Sequence, residues 1–381
     1  MTTSIAVVRP AADPFERLSP LLAQFAARAA EHDADDSFVA ENYAALREAR
    51  LMSAAVPMEL GGDGLGIAEL SKLLRTIAPA CSATALAYAM HTHVLALIAW
   101  RWRVQKAPVD ALLGRAAAEQ LVFISSGGSD WLESSGNARR VDGGFLIDAQ
   151  KAFASGVPAG NLLSTSAVYD DPQAGPTVLH FTVPLAAKEV TIEPSWRAMG
   201  MRATGSHVVH IRGFFVPDAA VAARRPRGLW HPLFHLVSMI AIPLVYSVYV
   251  GVAETARDAA LAVAKHKPMT PQMIDTVGAM ETELAAARVA LADMLAAADG
   301  QPGPQTTNRI FLGRANVTRG VLAMFDRVFE IVHGAGYLRS SPIERLFRDV
   351  QAARFHPLVP PVQRELAGRL ALGLDIDGKA A

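Results

Sequence analysis

The chain of 381 residues carries a single cysteine, Cys81. It cannot build a disulfide framework or a cysteine-ligated metal site on its own, and a reducing, cytoplasmic setting is expected. No excess of charge of either sign exists: 36 basic and 36 acidic residues balance. Without a basic face to meet phosphates, nucleic acid is not an expected partner. The opening stretch, MTTSIAVVRPAADP, lacks a basic leader and a sufficiently long apolar run for a signal peptide. Also missing are GxGxxG between a strand and a helix, GxxxxGK[ST], HExxH and GxSxG. The chain therefore shows no Rossmann fingerprint, no phosphate loop, no zincin helix and no nucleophile elbow. No metal site is expected.

Charge is also missing locally. From Gly228 to Ala253 there is no Lys, Arg, Asp or Glu, a run of 26 residues. That length could cross a bilayer. The run also holds His231, His235, Ser238, Ser247, Tyr246, Tyr249 and an internal Pro243. A central helix of a buried bundle is the better reading, so no membrane association is expected. Across the chain, 51% of residues are hydrophobic and 19% charged, with a mean hydropathy of +0.23. Such a composition implies extensive burial, subunit interfaces included.

What is present falls into three stretches. The first third has helical period. Asp13-Pro14-Phe15-Glu16 combines an N-cap, a first-turn proline and an acid three residues after the cap. ENYAALREARL, IAELSKLLRTI and ATALAYAMHTHVLALIAWRW read as further helices. His91 and His93 in the last of these are two residues apart, hence on different faces, and read as packing or surface residues rather than ligands. From about Leu121 the segments shorten and become rich in β-branched and aromatic residues. LVFIS, NARRV, FLIDAQKAF, LLSTSAVY, TVLHFTV, VTIEP and HVVHIRGFFV predict a β domain of seven or eight strands, closed as a barrel or sandwich. Asp142-Gly143-Gly144 marks a hairpin turn. After Trp230 the helical period returns, with long helices over 271–298 and 308–336, the second ending at glycine.

Several short stretches stand out. VPMELGGDGLG (56–66) is a glycine-rich loop between helices, where glycine permits positive φ and close approach. SSGGSDW (125–131) follows a strand and gathers N–H groups and hydroxyls that suit an anion or the polar edge of a heterocycle. In KAFASG (151–156) the strand period of two places Phe153 and Ser155 on one face, an aromatic beside a hydroxyl. MGMRATGS (199–206) leads into a strand that closes on Val216-Pro217. RLFRDVQAARFHPLVPP (345–361) sets His356 directly before a proline, hence at a helix edge or on a loop.

These motifs, in this order along nearly the whole chain and joined by GAGYLRSSPIERLFRD (334–349), resemble the acyl-CoA dehydrogenase superfamily. The resemblance implies an α+β fold of three domains: an N-terminal all-α domain (1–119), a middle β-barrel domain (120–226) and a C-terminal four-helix bundle (227–381). It implies a homotetramer and a flavin, usually FAD, between the β domain and the bundle. Carried across by position, Ser125 matches a hydroxyl beside the flavin pyrimidine edge. Phe153 matches the aromatic near the isoalloxazine, and Ser155 the hydroxyl near N5. Gly334 and Gly336 match the glycine loop under the adenosine part of FAD, supplied across an interface. His333 stands where dehydrogenases carry glycine, and Lys267 stands in the place of an arginine flavin-contact loop.

The resemblance also implies a base to remove an α-proton while hydride leaves for the flavin. Its two usual positions hold Pro357 and the uncharged stretch around Ala241. A second branch of the superfamily, the two-component flavin monooxygenases, carries a histidine shortly after Arg-Asp, as His356 follows Arg348-Asp349. Three readings follow. One is a flavin-dependent oxidoreductase acting on an acyl-CoA or other small organic substrate, with His356 as catalytic group and electron-transfer flavoprotein as partner. Another is a monooxygenase using reduced flavin (FMN or FAD), O2 and a separate flavin reductase. The third is an inactive acyl-binding scaffold.

Overall fold

The computed structural model describes residues 12–126 and 128–377. The opening eleven residues, and Gly127 within the Ser125–Trp131 turn, lie outside the described residues. Five helices come first: α1 (Pro14–Asp35), α2 (Ala40–Glu48), α3 (Ile67–Ile77), α4 (Ser82–Gln105) and α5 (Asp110–Glu119). Asp13 caps α1 as its sequence predicts, accepting from Phe15 N at 2.8 Å. Cys81 is buried and caps α4 through a long contact from Thr84 N. The 56–66 stretch is a packed turn. A side chain at Gly62 would stand 2.2 Å from the Val56 carbonyl oxygen, and Asp63 is paired to Arg17.

Eight strands follow: β1 (Phe123–Ser125), β2 (Asn137–Val141), β3 (Gly144–Ala154), β4 (Leu162–Asp171), β5 (Gly175–Pro184), β6 (Val190–Glu193), β7 (His207–Pro217) and β8 (Ala223–Pro226). Gly143, at φ 71°, makes the β2–β3 hairpin turn. The strands lie in the order β6-β7-β3-β2-β4-β5-β8, with β1 parallel to β4. The sheet is open and does not close into a barrel, because edge strands β6 and β8 do not pair with each other. β8 has no apolar alternation and was not legible in sequence.

Helices complete the chain: α6 (Pro232–Ala264), α7 (Pro271–Ala298), α8 (Pro304–Val332), α9 (Pro342–Val350) and α10 (Pro360–Ala371). α4 and α6 are long and apolar enough to cross a membrane, but 83% and 94% of their apolar windows are buried inside the fold. The uncharged run is thus satisfied within one chain. α6 crosses α3 closely at Gly251, where a Cβ would meet Ala78 Cβ at 2.8 Å. Ser71 and Ser247 hydroxyls bond across the same contact at 2.7 Å.

One polar cluster fixes the three stretches together. Arg348 on α9 bridges Asp33 on α1 and Glu344. Asp349 is buried and accepts from the Ser82 hydroxyl at the start of α4 and from Met201 N in the MGMRATGS loop. Gly200 in that loop lies so close to Arg348 that a Cβ would stand 2.1 Å from its carbonyl oxygen. The motif and the Arg-Asp pair are therefore a packing hub, and that hub anchors the segment carrying His356.

Candidate active site

A cavity of about 450 Å³ lies between α4, the β1–β4–β5 side of the sheet and α6. Its floor is apolar: Met90, Val94 and Leu97 from α4, and Val237, Ala241 and Ile242 from α6. The sheet contributes polar groups, Ser125 among them, and one end is formed by His356 and Pro357.

His356 lies on the loop between a 3₁₀ turn (Gln351–Arg354) and α10. Its Nε2 is 2.5 Å from the Tyr249 hydroxyl on α6. Burial and the nearby Arg314 guanidinium lower the His356 pKa to about 4, so the imidazole is neutral near pH 7. Burial raises Tyr249 well above the usual phenol range, so its hydroxyl keeps its proton. The two shifts together make Tyr249 the donor and Nε2 the acceptor, which leaves the proton on Nδ1. No hydrogen bond within the described residues uses Nδ1. Arg314, on α8 and buried, holds this segment from behind. Its Nη2 donates to the carbonyls of His356 (2.8 Å), Arg354 (3.1 Å) and Ala353 (3.3 Å).

Ser125 ends β1. Its Oγ is buried and has no hydrogen-bond partner among the described residues. Trp131 Nε1, on the same lining, also has no partner among the described residues. Unpaired buried polar atoms are costly, and a polar-edged ring in the cavity would satisfy them, which fits a flavin. Beneath this turn Lys151, fully buried, donates to Asp130 at 2.6 Å and to the Ser135 carbonyl at 2.7 Å. Asp130 is therefore neutralised in place.

The remaining sequence candidates are placed elsewhere. Phe153 and Ser155 do not share a face. Phe153 takes a left-handed φ of 58° at a register shift between β3 and β7, which interrupts the alternation. Its ring is 52% exposed and lies edge-on to Trp196 at 6.0 Å. Ser155 is buried, with its Oγ 2.8 Å from that of Ser206. Neither lines the cavity. Gly334 and Gly336 lie in the turn after α8 and do not line it either. His333 keeps a left-handed φ of 54°, the backbone that glycine would favour. Lys267 donates to the Ile331 carbonyl at 2.5 Å, so it ties α8 rather than facing an open site.

One lining residue was read differently from sequence. His91 is indeed a packing group, bridging the Met52 carbonyl and Phe123 N. His93, however, lines the cavity. Its Nδ1 is 3.1 Å from the Ala89 carbonyl, and burial lowers its pKa to about 4. Donation from Nδ1 leaves Nε2 as an acceptor. The missed signal is the stripe Met90, His93, Val94, Leu97, Ile98 and Arg101, a helical spacing that puts one histidine on an otherwise apolar face.

No cluster of three or more His, Cys, Asp or Glu side chains suited to a metal occurs among the described residues. Residues 21–105 match the family described as acyl-CoA dehydrogenase, N-terminal domain, and residues 244–361 match acyl-CoA dehydrogenase, C-terminal domain. A pigment production hydroxylase of a Rhodococcus species is 26% identical, covering 95% of this chain and 96% of its own. A cyclohex-1-ene-1-carbonyl-CoA dehydrogenase of Syntrophus aciditrophicus is 24% identical over 92% of this chain and 86% of its own. The crystal structure of KijD3 with FMN and a dTDP-linked amino-keto sugar superposes with a TM-score of 0.87 at 27% identity, covering 98% of this chain and 97% of that one. The two family matches together span more than half of the sequence, and they fall on the two helical stretches that wall the cavity. The chain belongs to the acyl-CoA dehydrogenase superfamily of flavin-dependent oxidoreductases.

Proposed function

We propose that this protein is a monooxygenase that uses reduced flavin and O2 to oxygenate a small organic substrate held in the 450 Å³ cavity. The observation that carries this reading is the acid–base inventory of the cavity. Dehydrogenation of a thioester needs a base with a free lone pair, such as an unpaired carboxylate, at the α-carbon proton. The two family positions for that base hold Ala241 and Pro357, and Asp130, the one carboxylate on the lining among the described residues, is paired to Lys151. His356 offers an N–H, not a lone pair, because Tyr249 occupies Nε2, and the free Nε2 of His93 belongs to a ring whose pKa burial lowers to about 4, which makes it a weak base for a carbon acid. An N–H donor suits a developing oxygen anion better than a carbon acid.

The relatives support this direction. One is a hydroxylase, and the KijD3 structure holds FMN together with a dTDP-linked amino-keto sugar. When bound, reduced flavin supplies the electrons that activate O2 for transfer of one oxygen atom. Ser125 is proposed to bond its pyrimidine edge, with Phe153 and Ser155 near the ring system and Gly334 and Gly336 of a neighbouring subunit toward the adenosine part if FAD is used. The apolar walls from α4 and α6 exclude water and hold the substrate body. His356 holds a proton at Nδ1 toward the reacting oxygen, and Tyr249 backs it. A separate flavin reductase is the proposed electron source.

The test supplies FMNH2 or FADH2 from a reductase, with O2, and screens aromatic and amine substrates by mass spectrometry. A product heavier by one oxygen atom, labelled from ¹⁸O2, is expected. Flavin reduction by acyl-CoA thioesters, with an unsaturated thioester product and no oxygen uptake, would overturn the proposal in favour of dehydrogenation.

A further inference from the structure

The charge balance around the cavity indicates what the substrate carries, an inference that rests on the cavity being the substrate site. Asp130 and Arg101 are the formally charged side chains on its lining. Asp130 is neutralised by Lys151 at 2.6 Å. Arg101 forms no ion pair among the described residues. Its side-chain hydrogen bond, from Nε to Gln105 Oε1, is long at 3.3 Å. Two further arginines stand directly behind the wall. Arg225, 2% exposed, donates to His180 Nε2 at 3.0 Å and to the carbonyls of Trp131 and Leu132. Arg314, 1% exposed, donates to the carbonyls of the His356 segment. Neither forms an ion pair among the described residues. Carbonyl oxygens satisfy their N–H groups but bring no full negative charge.

Three guanidinium groups without a carboxylate thus surround a cavity whose own carboxylate is already paired. In surroundings of reduced dielectric, that field favours an anionic occupant and disfavours a cationic one. Cations near the end of α4 also suit the helix dipole, and that explains Arg103 and Lys106, which do not line the cavity. Arg101 differs because it continues the stripe of Met90, Val94 and Leu97 that does.

We propose that the cavity takes a small organic anion, an apolar or aromatic body ending in a carboxylate, and that Arg101 is the side chain that contacts the carboxylate. A guanidinium can grip a carboxylate with two parallel N–H donors. The unprotonated Nε2 of His93, roughly two turns before Arg101 on α4 and on the same lining, offers an acceptor to an O–H or N–H on the body.

The experiment is calorimetric titration of the protein with added FMN, using 3-phenylpropanoate and its uncharged isostere 3-phenylpropanamide. Wild type, R101Q and R101K are compared. Wild type is expected to prefer the carboxylate by about tenfold or more, with the preference shrinking as salt rises. R101Q should bring the two probes to similar affinity, and R101K should keep part of the preference. A circular dichroism melt checks that R101Q is folded. Equal binding of both probes by wild type, no binding of either up to about 10 mM, or an unchanged preference in R101Q would overturn the proposal. Binding is read without turnover, so failure of oxygenation and failure of anion selection are separate results.

Discussion

A histidine whose Nε2 accepts from a tyrosine hydroxyl, and which burial keeps neutral, offers the cavity an N–H hydrogen-bond donor rather than a base. His356→Ala or →Asn should therefore cut turnover by about 10²–10⁴-fold, while flavin content stays near wild type. A turnover within a few-fold of wild type, measured on any accepted substrate, would return His356 to a structural role. Ser125 makes a second prediction at this scale. If its orphaned Oγ meets the flavin edge, Ser125→Ala should weaken flavin binding by about 0.5–1.5 kcal/mol, read by fluorescence titration of reduced or oxidised flavin. An unchanged dissociation constant would place the flavin elsewhere. His356 was legible as a polar residue at a forced loop, since a proline follows it. Its donor character was not, because that depends on Tyr249 and Arg314, which come from distant helices.

At the scale of elements, the 3.6-residue and two-residue periods located nearly every helix and strand, and the exceptions are informative. α5, α10 and β8 have little apolar pattern of their own and are held by what they pack against. Phe153 broke the strand period because a left-handed residue rotates the chain. The Arg348-Asp349 pair is the joint between elements. Asp349→Ala would leave the Ser82 hydroxyl and Met201 N–H without their acceptor in a buried site. A loss of about 2–4 kcal/mol in a urea unfolding curve is expected, together with reduced activity from a loosened His356 segment. A loss below about 0.5 kcal/mol would show that the hub does not hold the three stretches together.

At the scale of the whole molecule, four histidines are kept neutral by burial. His91, His93 and His356 have pKa values lowered to about 4, and His180 to about 3, against an ordinary 6.5. Below pH 6.5 the unfolded chain binds protons that the fold does not. Stability therefore rises with pH across this window, and it falls as pH drops from about 6.5 toward 4. Thermal melts should show a steep, cumulative fall in Tm over that range, and a flat Tm between pH 7 and 5 would contradict it. Assembly is the second property at this scale. The uncharged run does not itself demand a partner, since α6 is covered within the chain. The exposed apolar side chains are elsewhere, and Tyr337, Leu338, Phe355, Val359 and Val362 cluster in the C-terminal sequence. We predict a homotetramer in solution by light scattering, and a stable monomer at micromolar concentration would refute it.

Sequence alone determined the order of helix, sheet and helix, because periodicity and turn chemistry are local. It determined the family, because several short motifs occur together in one order. It also showed that both usual base positions are empty, since Ala241 and Pro357 have nothing to ionise. Only the tertiary structure decided that the sheet stays open, that Ser125 and His356 share a cavity while Phe153 and Ser155 do not line it, and that His93 belongs to the lining. It alone showed which arginines lack an acid. Each of those facts depends on groups from separate elements meeting through burial and hydrogen bonding, and a linear pattern does not encode which side chains will meet.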